Sequence, residues 1–481
     1  MLLLVLIALV AMRSVWIDTP CAGAHAWRQA DTLAVARNYL TEDAPFLLPR
    51  IDRRGDLTGI CGCEFPALNY FVAVAYRMCG LHEWVGRAVV LLISILASLC
   101  LHAHVRQRSG SSVALIAVLL MNSAPAYFYY SRCVMPDTVA VAAMLGSLWA
   151  FGRWLACDRA SWLAGSAVAA AFALLVKPSA GILLFGFAFC LLRRDGLGVL
   201  RQVRLWLWTA AILLPFLWWY GVHVPWLNEQ YGLGQYFHTR PDTLGGLREL
   251  VTSDLSWILV KKELLGKFVA RPALVFAVIV LWGAWRRRAG GAPAAQMPLQ
   301  RQLDDVLWGW FAGFGVLVLA DAGMFRFHEY YGLPIVPAIA IFAAKGADMA
   351  LRWAHGQLAR QLVVWGIVSA AVAHGALHGY RSFGPGPDPA AVAAVQAVVP
   401  ADALVITVDD RFAVELYRLN RKGWSLFRAQ PLDDVPEWIA KGAAYVICGD
   451  AQWREKPDVS RIVAGWQLVL DANDYHVWRV K

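Results

Sequence analysis

Residues 25–32, HAWRQADT, bring five side chains capable of chemistry into seven consecutive positions. An imidazole, an indole, a guanidinium, an amide and a carboxylate are supplied by His25, Trp27, Arg28, Gln29 and Asp31. A carboxylate with a nearby imidazole can take a proton from a hydroxyl or an amine. We therefore expect Asp31 to be a catalytic base assisted by His25, and Trp27 to stack on a sugar or an acceptor.

A second group of polar side chains is spread over three later stretches of the chain. We expect Asp137 to take part in catalysis, and Glu329 and Tyr330 to contact the acceptor or the sugar. Arg and Lys in a partly dry cleft bind phosphate, and Arg does so with two hydrogen bonds. The residues expected to bind a donor phosphate are Arg28, Arg132, Lys177, Arg326 and His328. Together these groups suit a reaction in which an acceptor nucleophile displaces the lipid-linked phosphate of a donor, so that the phosphate is the leaving group.

Each of these residues also has a purely structural interpretation. Asp31 can pair with Arg28 on its own helix. Asp137 follows a proline, where an acid is favoured by the helix dipole, and Lys177 can extend to the lipid headgroups. Residues 328–331 (HEYY) can form an interfacial aromatic belt.

The spacing of metal ligands and cysteines is less informative. Residues 328–331 do not form an HExxH motif, so a zinc protease is not indicated. The nine cysteines include no CxxC pair, and a disulfide among Cys21, Cys61 and Cys63 stays open. Residues 42–43 (ED) are alternative carboxylates in the same loop. We expect no cofactor, with a divalent metal as the alternative.

The elements that must position these residues belong to a membrane protein. Of the 481 residues, 59% are hydrophobic and 16% are charged, against about 45–50% and about 25% in soluble domains. The apolar residues come in blocks of roughly 15–22, most of them long enough to cross a bilayer. The eleven helices that we predict to cross it are residues 1–17, 84–105, 111–128, 138–156, 162–176, 179–192, 204–221, 268–285, 304–320, 331–344 and 361–379.

Basic residues set the predicted orientation, because Lys and Arg collect in cytoplasmic loops. They fall on every second connection, at residues 106–108, 153–159, 193–204, 286–301 and 345–360. This pattern places the N-terminus inside, the C-terminus outside, and every candidate site residue on the outer face, where we expect one site. The net charge of +10 is explained in the same way, so no nucleic-acid partner is expected.

We predict three parts along the chain. Residues 1–380 form the transmembrane catalytic domain, with residues 1–17 as a retained first helix rather than a signal peptide, and a first outer loop at about 18–83. The loop holds an amphipathic helix at 27–40 and a second helix at 65–80, which we expect to lie in the interface rather than span the membrane. After a Pro/Gly linker at 381–390, residues 391–481 form a small soluble α/β domain with strands at 403–408 and 444–448.

Several of these segments resemble a known family. The run His25–Asn38 (HAWRQADTLAVARN), followed by Glu64-Phe65-Pro66, is similar to the first outer loop of the bacterial glycosyltransferase 39 and ArnT-like group. This group belongs to the GT-C glycosyltransferase superfamily and includes the protein O-mannosyltransferases. The segments that resemble its later motifs are Arg132 to Asp137, Lys177-Pro178, and residues 328–331 before Leu333-Pro334.

The resemblance spans about residues 1–380 and implies an integral membrane transferase that uses a polyprenyl-phosphate sugar. It implies that the first-loop acid, here Asp31, is the catalytic base or positions the acceptor, and that the anomeric carbon is inverted in one displacement. Ala30-Asp31 stands where protein mannosyltransferases have adjacent Asp and Glu, which puts protein acceptors in doubt.

The leading hypothesis is therefore a multi-pass glycosyltransferase of the bacterial inner membrane, surrounded by membrane lipids and active on the periplasmic face. Its acceptor would be lipid A or lipopolysaccharide, another glycolipid, a polysaccharide or a protein. One alternative is a transporter or flippase for polyprenyl-linked glycans, although the internal repeats typical of transporters are not seen. The other is a non-catalytic partner in envelope polysaccharide assembly.

Overall fold

The computed structural model describes residues 1–233, 243–289, 298–383, 386, 388–408, 413–427, 431–449, 457–472 and 475–480. The chain is mostly helical, with a small sheet near its C-terminus. It divides into two compact units. The first unit consists of Met1–Val15, Val90–Trp219 and Thr239–Arg381, and the second of Trp16–Val89, Tyr220–His238 and Ser382–Lys481.

The α-helices follow one another through almost the whole chain. In order they are α1 (Leu2–Arg13), α2 (Ala26–Thr41), α3 (Ala67–Cys79), α4 (Glu83–Ser123), α5 (Pro125–Tyr130), α6 (Pro136–Cys157), α7 (Ala160–Val176), α8 (Ile182–Asp195), α9 (Val203–Trp218), α10 (Val224–Tyr231), α11 (Thr243–Thr252), α12 (Leu255–Trp257), α13 (Leu274–Ala289), α14 (Pro298–Ala320), α15 (Met324–Phe327), α16 (Val336–Trp353), α17 (Leu358–Tyr380), α18 (Pro389–Val398), α19 (Val414–Leu419), α20 (Val435–Ala440) and α21 (Pro457–Val463). Four 3₁₀ segments (Pro178–Gly181, Gly196–Arg201, Arg271–Ala273, Glu329–Ile335) and two π-helical segments (Trp219–His223, Ile258–Phe268) join some of them.

Six helices among the described residues are long and apolar enough to cross a membrane, namely Glu83–Ser123, Pro136–Cys157, Val203–Tyr231, Gln302–Ala320, Glu329–Trp353 and Leu358–Tyr380. A pair bent by 99°, Leu255–Phe268 with Arg271–Gly283, makes a seventh if it counts as one span. The prediction of a multi-pass membrane protein is confirmed, but the number of eleven crossings is not. Helices such as α1, with 12 residues, are shorter than the roughly 20 residues that a hydrocarbon core requires.

Gly110 separates the two helices that were predicted at 84–105 and 111–128. Its φ of 81° and ψ of 172° are accessible to glycine but strained for other residues, so α4 contains two helices joined at this position. The second of them ends at Ser123 rather than residue 128, because Pro125 cannot continue it and instead begins α5.

Small residues allow close helix packing in the first unit. A Cβ on Gly186 of α8 would lie 2.6 Å from the carbonyl oxygen of Val306, and one on Gly309 of α14 would lie 2.5 Å from that of Phe185. Close approach through small residues is a common way to join helices in a bilayer. Between α6 and α7, the Ser147 hydroxyl donates to the Ser166 carbonyl at 2.9 Å.

The second unit contains the predicted outer loop and a five-stranded sheet. The strands are β1 (Leu404–Val408), β2 (Lys422–Leu426), β3 (Tyr445–Cys448), β4 (Gln467–Asp471) and β5 (His476–Arg479), in the order β2-β1-β3-β5-β4. β1 is parallel to β2 and β3, whereas β5 is antiparallel to β3 and β4. The two predicted strands are confirmed as β1 and β3, whose buried apolar runs are typical of central parallel strands.

The helices of the first loop are also present. The helix predicted at 27–40 is α2, and the one predicted at 65–80 is α3. At 13 residues, α3 rises about 20 Å, which is too short to cross a hydrocarbon core of about 30 Å. The structure therefore supports the prediction that this helix does not span the membrane.

Candidate functional site

Asp31 lies in the second turn of α2, and its side chain is buried with 2% of its surface exposed. The helix begins after His25, which adopts a left-handed conformation with φ of 52° and is partly exposed. The His25 carbonyl accepts hydrogen bonds from the backbone N–H groups of Arg28 (3.0 Å) and Gln29 (3.3 Å). A carboxylate so far removed from bulk water interacts strongly with any proton donor that reaches it.

Arg28 forms a buried ion pair with Glu64. Only 4% of its side chain is exposed, and its guanidinium lies 5.8 Å from the centre of the partly exposed Trp27 ring. The sequence predicted Arg28 as a phosphate ligand and offered Asp31 as its structural partner. The structure gives it Glu64 as an ion-pair partner, a residue not singled out from the sequence except as part of the family resemblance.

Two thiols precede Glu64. Cys61 and Cys63 are both buried, and the nine cysteines, all of which lie among the described residues, are thiols rather than disulfides. The hydrogen bond with Cys61, together with burial and the nearby Glu64 charge, raises the pKa of Cys63 well above its usual value. Since the thiolate is the reactive form of cysteine, Cys63 is not poised to act as a nucleophile.

The other end of α2 is fixed by a buried polar network. Asp52, whose side chain is fully buried, is bound by Arg37 and Asn38 of α2 and by Lys422 of β2. Arg37 also donates to the Tyr417 carbonyl at 2.9 Å. Burial by itself would raise the pKa of Asp52, but Arg37 and Lys422 hold that pKa below its ordinary value. The carboxylate is therefore ionised in the folded protein at neutral pH.

This network bears on Asp31 through the geometry of the helix. Asn38 comes seven residues, or about two turns, after Asp31, and the two side chains share a face of α2. The Asn38 amide donates to Asp52 Oδ1 at 3.0 Å and to the Arg50 carbonyl at 2.9 Å. The Arg28–Glu64 pair near the start of α2 and the Asn38 contacts near its end fix the rotation of the helix about its axis. They therefore fix the side of the helix on which Asp31 lies.

Glu42, one of the alternative carboxylates of the first loop, is surrounded by cationic side chains. Its Oε1 lies 2.5 Å from Arg54 Nη2 and 3.4 Å from Lys422 Nζ, and its Oε2 lies 3.3 Å from Arg50 Nη1. Burial opposes ionisation, but these cations lower the pKa of Glu42. Three cationic partners explain this carboxylate without a catalytic role.

In the first unit, Asp137 and Lys177 form a buried pair. Asp137 lies in the first turn of α6 after Pro136, and Lys177 caps the C-terminus of α7. Lys177 Nζ lies 3.5 Å from Asp137 Oδ1, and the two side chains are 2% and 1% exposed. Removing both charges from water is costly, so such a pair needs good geometry or further contacts.

Aromatic rings supply some of those contacts. Lys177 Nζ lies 5.0 Å from the ring centre of Tyr330 and 4.6 Å from that of Tyr331. Ring faces attract cations most strongly where water is excluded. His328 lies beside the same rings, 5.4 Å from Tyr330 between ring centres. The predicted residues Asp137, Lys177, His328 and Tyr330 thus belong to one cluster.

Glu329 extends this cluster. Its Oε1 accepts a hydrogen bond from the Tyr130 hydroxyl at 2.9 Å and lies 3.3 Å from Lys267 Nζ, which is also 3.1 Å from Glu263. Burial, with the Glu329 charge nearby, raises the pKa of Tyr130 well above its usual value, so the phenol keeps its proton. Tyr130 and Lys267 were not predicted as site residues, because a tyrosine among apolar residues and a loop lysine carry no distinguishing pattern.

The two remaining predicted phosphate ligands make other contacts. Arg132 is 4% exposed, and its Nη1 donates to the Arg13 carbonyl at 3.1 Å and to the Val15 carbonyl. Arg326 lies nearer the surface and pairs with Asp254 at 3.0 Å. Both contacts suffice to explain these arginines structurally, and their predicted binding of phosphate stays a prediction.

The described residues include no cluster of side chains arranged as metal ligands. Among the described residues, no group of three or more His, Cys, Asp or Glu side chains is arranged to hold an ion. Glu64 and Asp137 each have a cation of the chain as partner, and Glu263 and Glu329 share the cation of Lys267.

Residues 64–220 match the model of the family described as dolichyl-phosphate-mannose-protein mannosyltransferase. The matched segment contains Arg132, Asp137 and Lys177, and it begins after Asp31. No curated protein matches the chain in sequence.

Solved structures match over nearly the whole chain. ArnT from Cupriavidus metallidurans bound to undecaprenyl phosphate is 17% identical, with a TM-score of 0.62 over 99% of this chain and 97% of that one. AglB, an archaeal oligosaccharyltransferase from Archaeoglobus fulgidus in complex with an inhibitory peptide and a dolichol-phosphate, is 13% identical, with a TM-score of 0.59 over 93% and 69%. Arabinofuranosyltransferase AftD from Mycobacteria is 14% identical, with a TM-score of 0.57 over 100% and 40%. At these identities the likeness establishes a common fold.

Proposed function

We propose that this chain is a GT-C glycosyltransferase, and that it transfers a sugar from a polyprenyl-phosphate donor to an acceptor on the periplasmic side of a bacterial inner membrane. The family match and the common fold confirm the resemblance found in the sequence. ArnT and AglB have been solved with polyprenyl phosphates, and this supports a donor of the same class here.

The observation that carries the donor assignment is the buried cation of Lys177. A lipid phosphate that leaves water needs a positive charge that is already desolvated, and the Lys177 side chain is only 2% exposed and lies beside two tyrosine rings. We assign Lys177 to the donor phosphate, with His328 as a second donor of a hydrogen bond. Asp137 orients Lys177 through their 3.5 Å contact.

Asp31 is the proposed base. In a single displacement, the acceptor oxygen or nitrogen bonds to the anomeric carbon while the bond from that carbon to the phosphate oxygen breaks. The polyprenyl phosphate leaves with the bonding electron pair, the acceptor proton passes to the Asp31 carboxylate, and the anomeric configuration inverts. A positioned base of this kind contributes about 10²–10⁴-fold to the rate.

Among acceptors, we favour a lipid or polysaccharide hydroxyl over a protein. The single acid of Ala30-Asp31 differs from the paired acids of the protein mannosyltransferases that the sequence resembles. The periplasmic location is part of the proposal and is supported by the basic connections, which alternate along the chain as the positive-inside rule requires.

The proposal is tested by incubating the purified protein with a panel of polyprenyl-phosphate sugars and candidate acceptors, including lipid A. The readout is release of polyprenyl phosphate together with an anomerically inverted product. Turnover by the protein alone is expected. If the donors bind but none is consumed with any acceptor while a known transferase is active in the same assay, the chain is not the transferase proposed.

A further inference from the structure

Two connections of the first unit meet at the end of the helices opposite to the Asp137–Lys177 pair. The helix α6 begins beside Asp137 and ends at Cys157, and its 22 residues span about 33 Å. The connection from α6 to α7 is therefore distant from that pair. Arg204 at the start of α9 lies 2.8 Å from Asp158 in this connection, so the connection from α8 to α9 lies at the same end.

The two connections carry more positive than negative charge. Each of three carboxylates faces one arginine, and the pairs are Asp158 with Arg204 at 2.8 Å, Asp195 with Arg194 at 2.7 Å, and Asp305 of α14 with Arg193 at 3.9 Å. The connections contain three further arginines for which the described residues show no ion pair, namely Arg153, Arg159 and Arg201. The six arginines therefore exceed the three carboxylates by three charges.

An apolar row runs along the turn between α8 and α9. The 3₁₀ segment Gly196–Arg201 has no buried side chain, and its Leu197 and Leu200 share a face because they are three residues apart. Val203 and Trp206 of α9 continue the row at the same spacing. The exposed fractions of Leu197, Leu200, Val203 and Trp206 are 78%, 57%, 69% and 56%. A contiguous exposed apolar surface of this kind marks contact with a membrane or with another protein.

Polar contacts hold the turn in this shape. Gln202 Nε2 donates a hydrogen bond to Asp195 Oδ2 at 2.7 Å. Trp206 Nε1 donates to the Leu200 carbonyl at 2.9 Å, so the indole is tied to the 3₁₀ segment while its ring stays exposed. Arg201 directly follows Leu200, and its exposed side chain therefore lies beside the apolar row.

The position of the row in the chain favours a membrane as its partner. Val203 begins the helix Val203–Tyr231, which is long and apolar enough to cross a bilayer. The row thus passes without a break from a spanning helix into the adjoining turn, where headgroups meet acyl chains. Leucine and tryptophan on one side with arginine on the other are typical of segments that lie in this interface. The excess of positive charge favours anionic headgroups over zwitterionic ones.

We propose that the turn between α8 and α9 is a binding site for anionic phospholipid, with Arg201 as its principal cation. The phosphodiester accepts hydrogen bonds from the Arg201 guanidinium, and Leu197, Leu200 and Trp206 lie among the upper acyl chains. The site is independent of the glycosyl transfer proposed above.

The experiment measures the phospholipid retained by the purified full-length protein. Delipidated protein in detergent is mixed with equal amounts of phosphatidylglycerol and phosphatidylcholine, and the bound molecules of each are counted by native mass spectrometry. Arg201→Gln is compared with Arg201→Lys, which keeps the charge, and with Arg248→Gln, which removes an exposed arginine from α11. A fourth variant, Leu197→Ser with Leu200→Ser, shortens the apolar row without changing a charge.

The wild type, Arg201→Lys and Arg248→Gln should retain phosphatidylglycerol in preference to phosphatidylcholine. Arg201→Gln should lower the ratio of the two bound lipids about fivefold, and the double serine variant should lower the retention of both. A wild type without preference, or the same ratio in Arg201→Gln and Arg248→Gln, would overturn the site. Displacement of phosphatidylglycerol by an equal concentration of soluble glycerol phosphate would overturn its assignment to a lipid.

Discussion

Lys422 of β2 and Asp52 of the first loop form an ion pair in which the carboxylate is completely buried. Lys422 Nζ also lies 2.6 Å from Asn38 Oδ1 on α2. The sheet at the C-terminus is therefore joined to the helix that carries Asp31. Arg37 and Asn38 complete the set of donors to Asp52, which offsets the cost of burying its charge.

Replacing Lys422 with Met removes one cation while leaving Asp52 buried, so the second unit should lose stability. Breaking a buried pair in this way costs about 3 kcal/mol, and a lower melting temperature is expected by differential scanning fluorimetry. Transfer should fall through kcat rather than donor KM, because the affected element is the helix of the proposed base. The matched control is Lys441→Met, whose partner Glu437 is exposed. Equal melting temperatures for the two variants would contradict the anchoring role of Lys422.

Acidification should weaken the ion pairs that join Asp52 and Glu42 to Lys422 and the neighbouring arginines. The folded-state pKa values of Asp52 and Glu42 are both lowered by neighbouring cations. Groups with depressed pKa values stabilise the fold above their unfolded-state pKa of about 4, and this stability is lost as the pH falls through the folded-state values.

The melting temperature should therefore be nearly constant from about pH 5 to neutral and fall below about pH 4. The variant Asp52→Asn should melt lower at neutral pH and lose less on acidification than the wild type. A wild-type curve parallel to that of Asp52→Asn would show that Asp52 does not contribute to the acid response.

In the second unit, the sequence predicted individual helices and strands better than the long-range contacts between them. The period of α2 and the apolar runs of β1 and β3 were readable because burial imposes them directly. The contact between Asp52 and Lys422 joins residues 370 positions apart, and nothing in the local pattern of either residue indicates it. β2 was missed for a related reason, since Lys422 and Gly423 interrupt the apolar run that marks a strand.

In the first unit, the candidate residues were identified by residue type and by their place at the ends of helices. That reasoning indicated Asp137 and Lys177 separately, because each is a charge beside a proline at a membrane boundary. It did not pair them, and it did not identify Tyr130 or Lys267 as partners of Glu329. The number of eleven crossings is not confirmed, because apolar blocks such as residues 179–192 form helices shorter than the roughly 20 residues that a bilayer requires.

The pair of Lys177 and Asp137 offers a way to separate function from stability. Lys177→Met alone leaves a buried carboxylate and should cost about 3–5 kcal/mol. The double variant Lys177→Met with Asp137→Leu removes both charges, and replacement of a buried pair by apolar groups is often neutral for stability.

We expect the double variant to regain most of the lost melting temperature but not to bind the donor. Binding would be measured with a labelled polyprenyl phosphate, and its affinity should fall at least tenfold relative to wild type. Donor binding by the double variant at the wild-type affinity would show that Lys177 has only a structural role.

Removal of divalent ions is expected to leave transfer unchanged. Divalent cations of the magnesium type need several oxygen ligands, and Glu64 and Asp137 are each engaged by a cation of the chain itself. Turnover would be compared before and after dialysis against EDTA. Loss of turnover that is restored by Mg²⁺, Mn²⁺ or Zn²⁺ would contradict this expectation and favour a metal at Asp31.

Asp31→Asn should abolish transfer while leaving the fold and donor binding intact. The amide has nearly the same shape as the carboxylate but cannot accept the acceptor proton, so kcat should fall by about 10²–10⁴-fold. Donor affinity should stay within about twofold of wild type, since Asp31 is not assigned to the phosphate. His25→Gln should lower kcat less, because His25 only assists the base.

The matched control for Asp31→Asn is Asp56→Asn, an exposed acid in the same loop, which should have wild-type kinetics. Initial rates would be measured at saturating donor, with the melting temperature of each variant recorded in the same buffer. Turnover of Asp31→Asn within a few-fold of Asp56→Asn would remove Asp31 from the role of base. A fall in donor affinity without a change in kcat would instead assign Asp31 to binding.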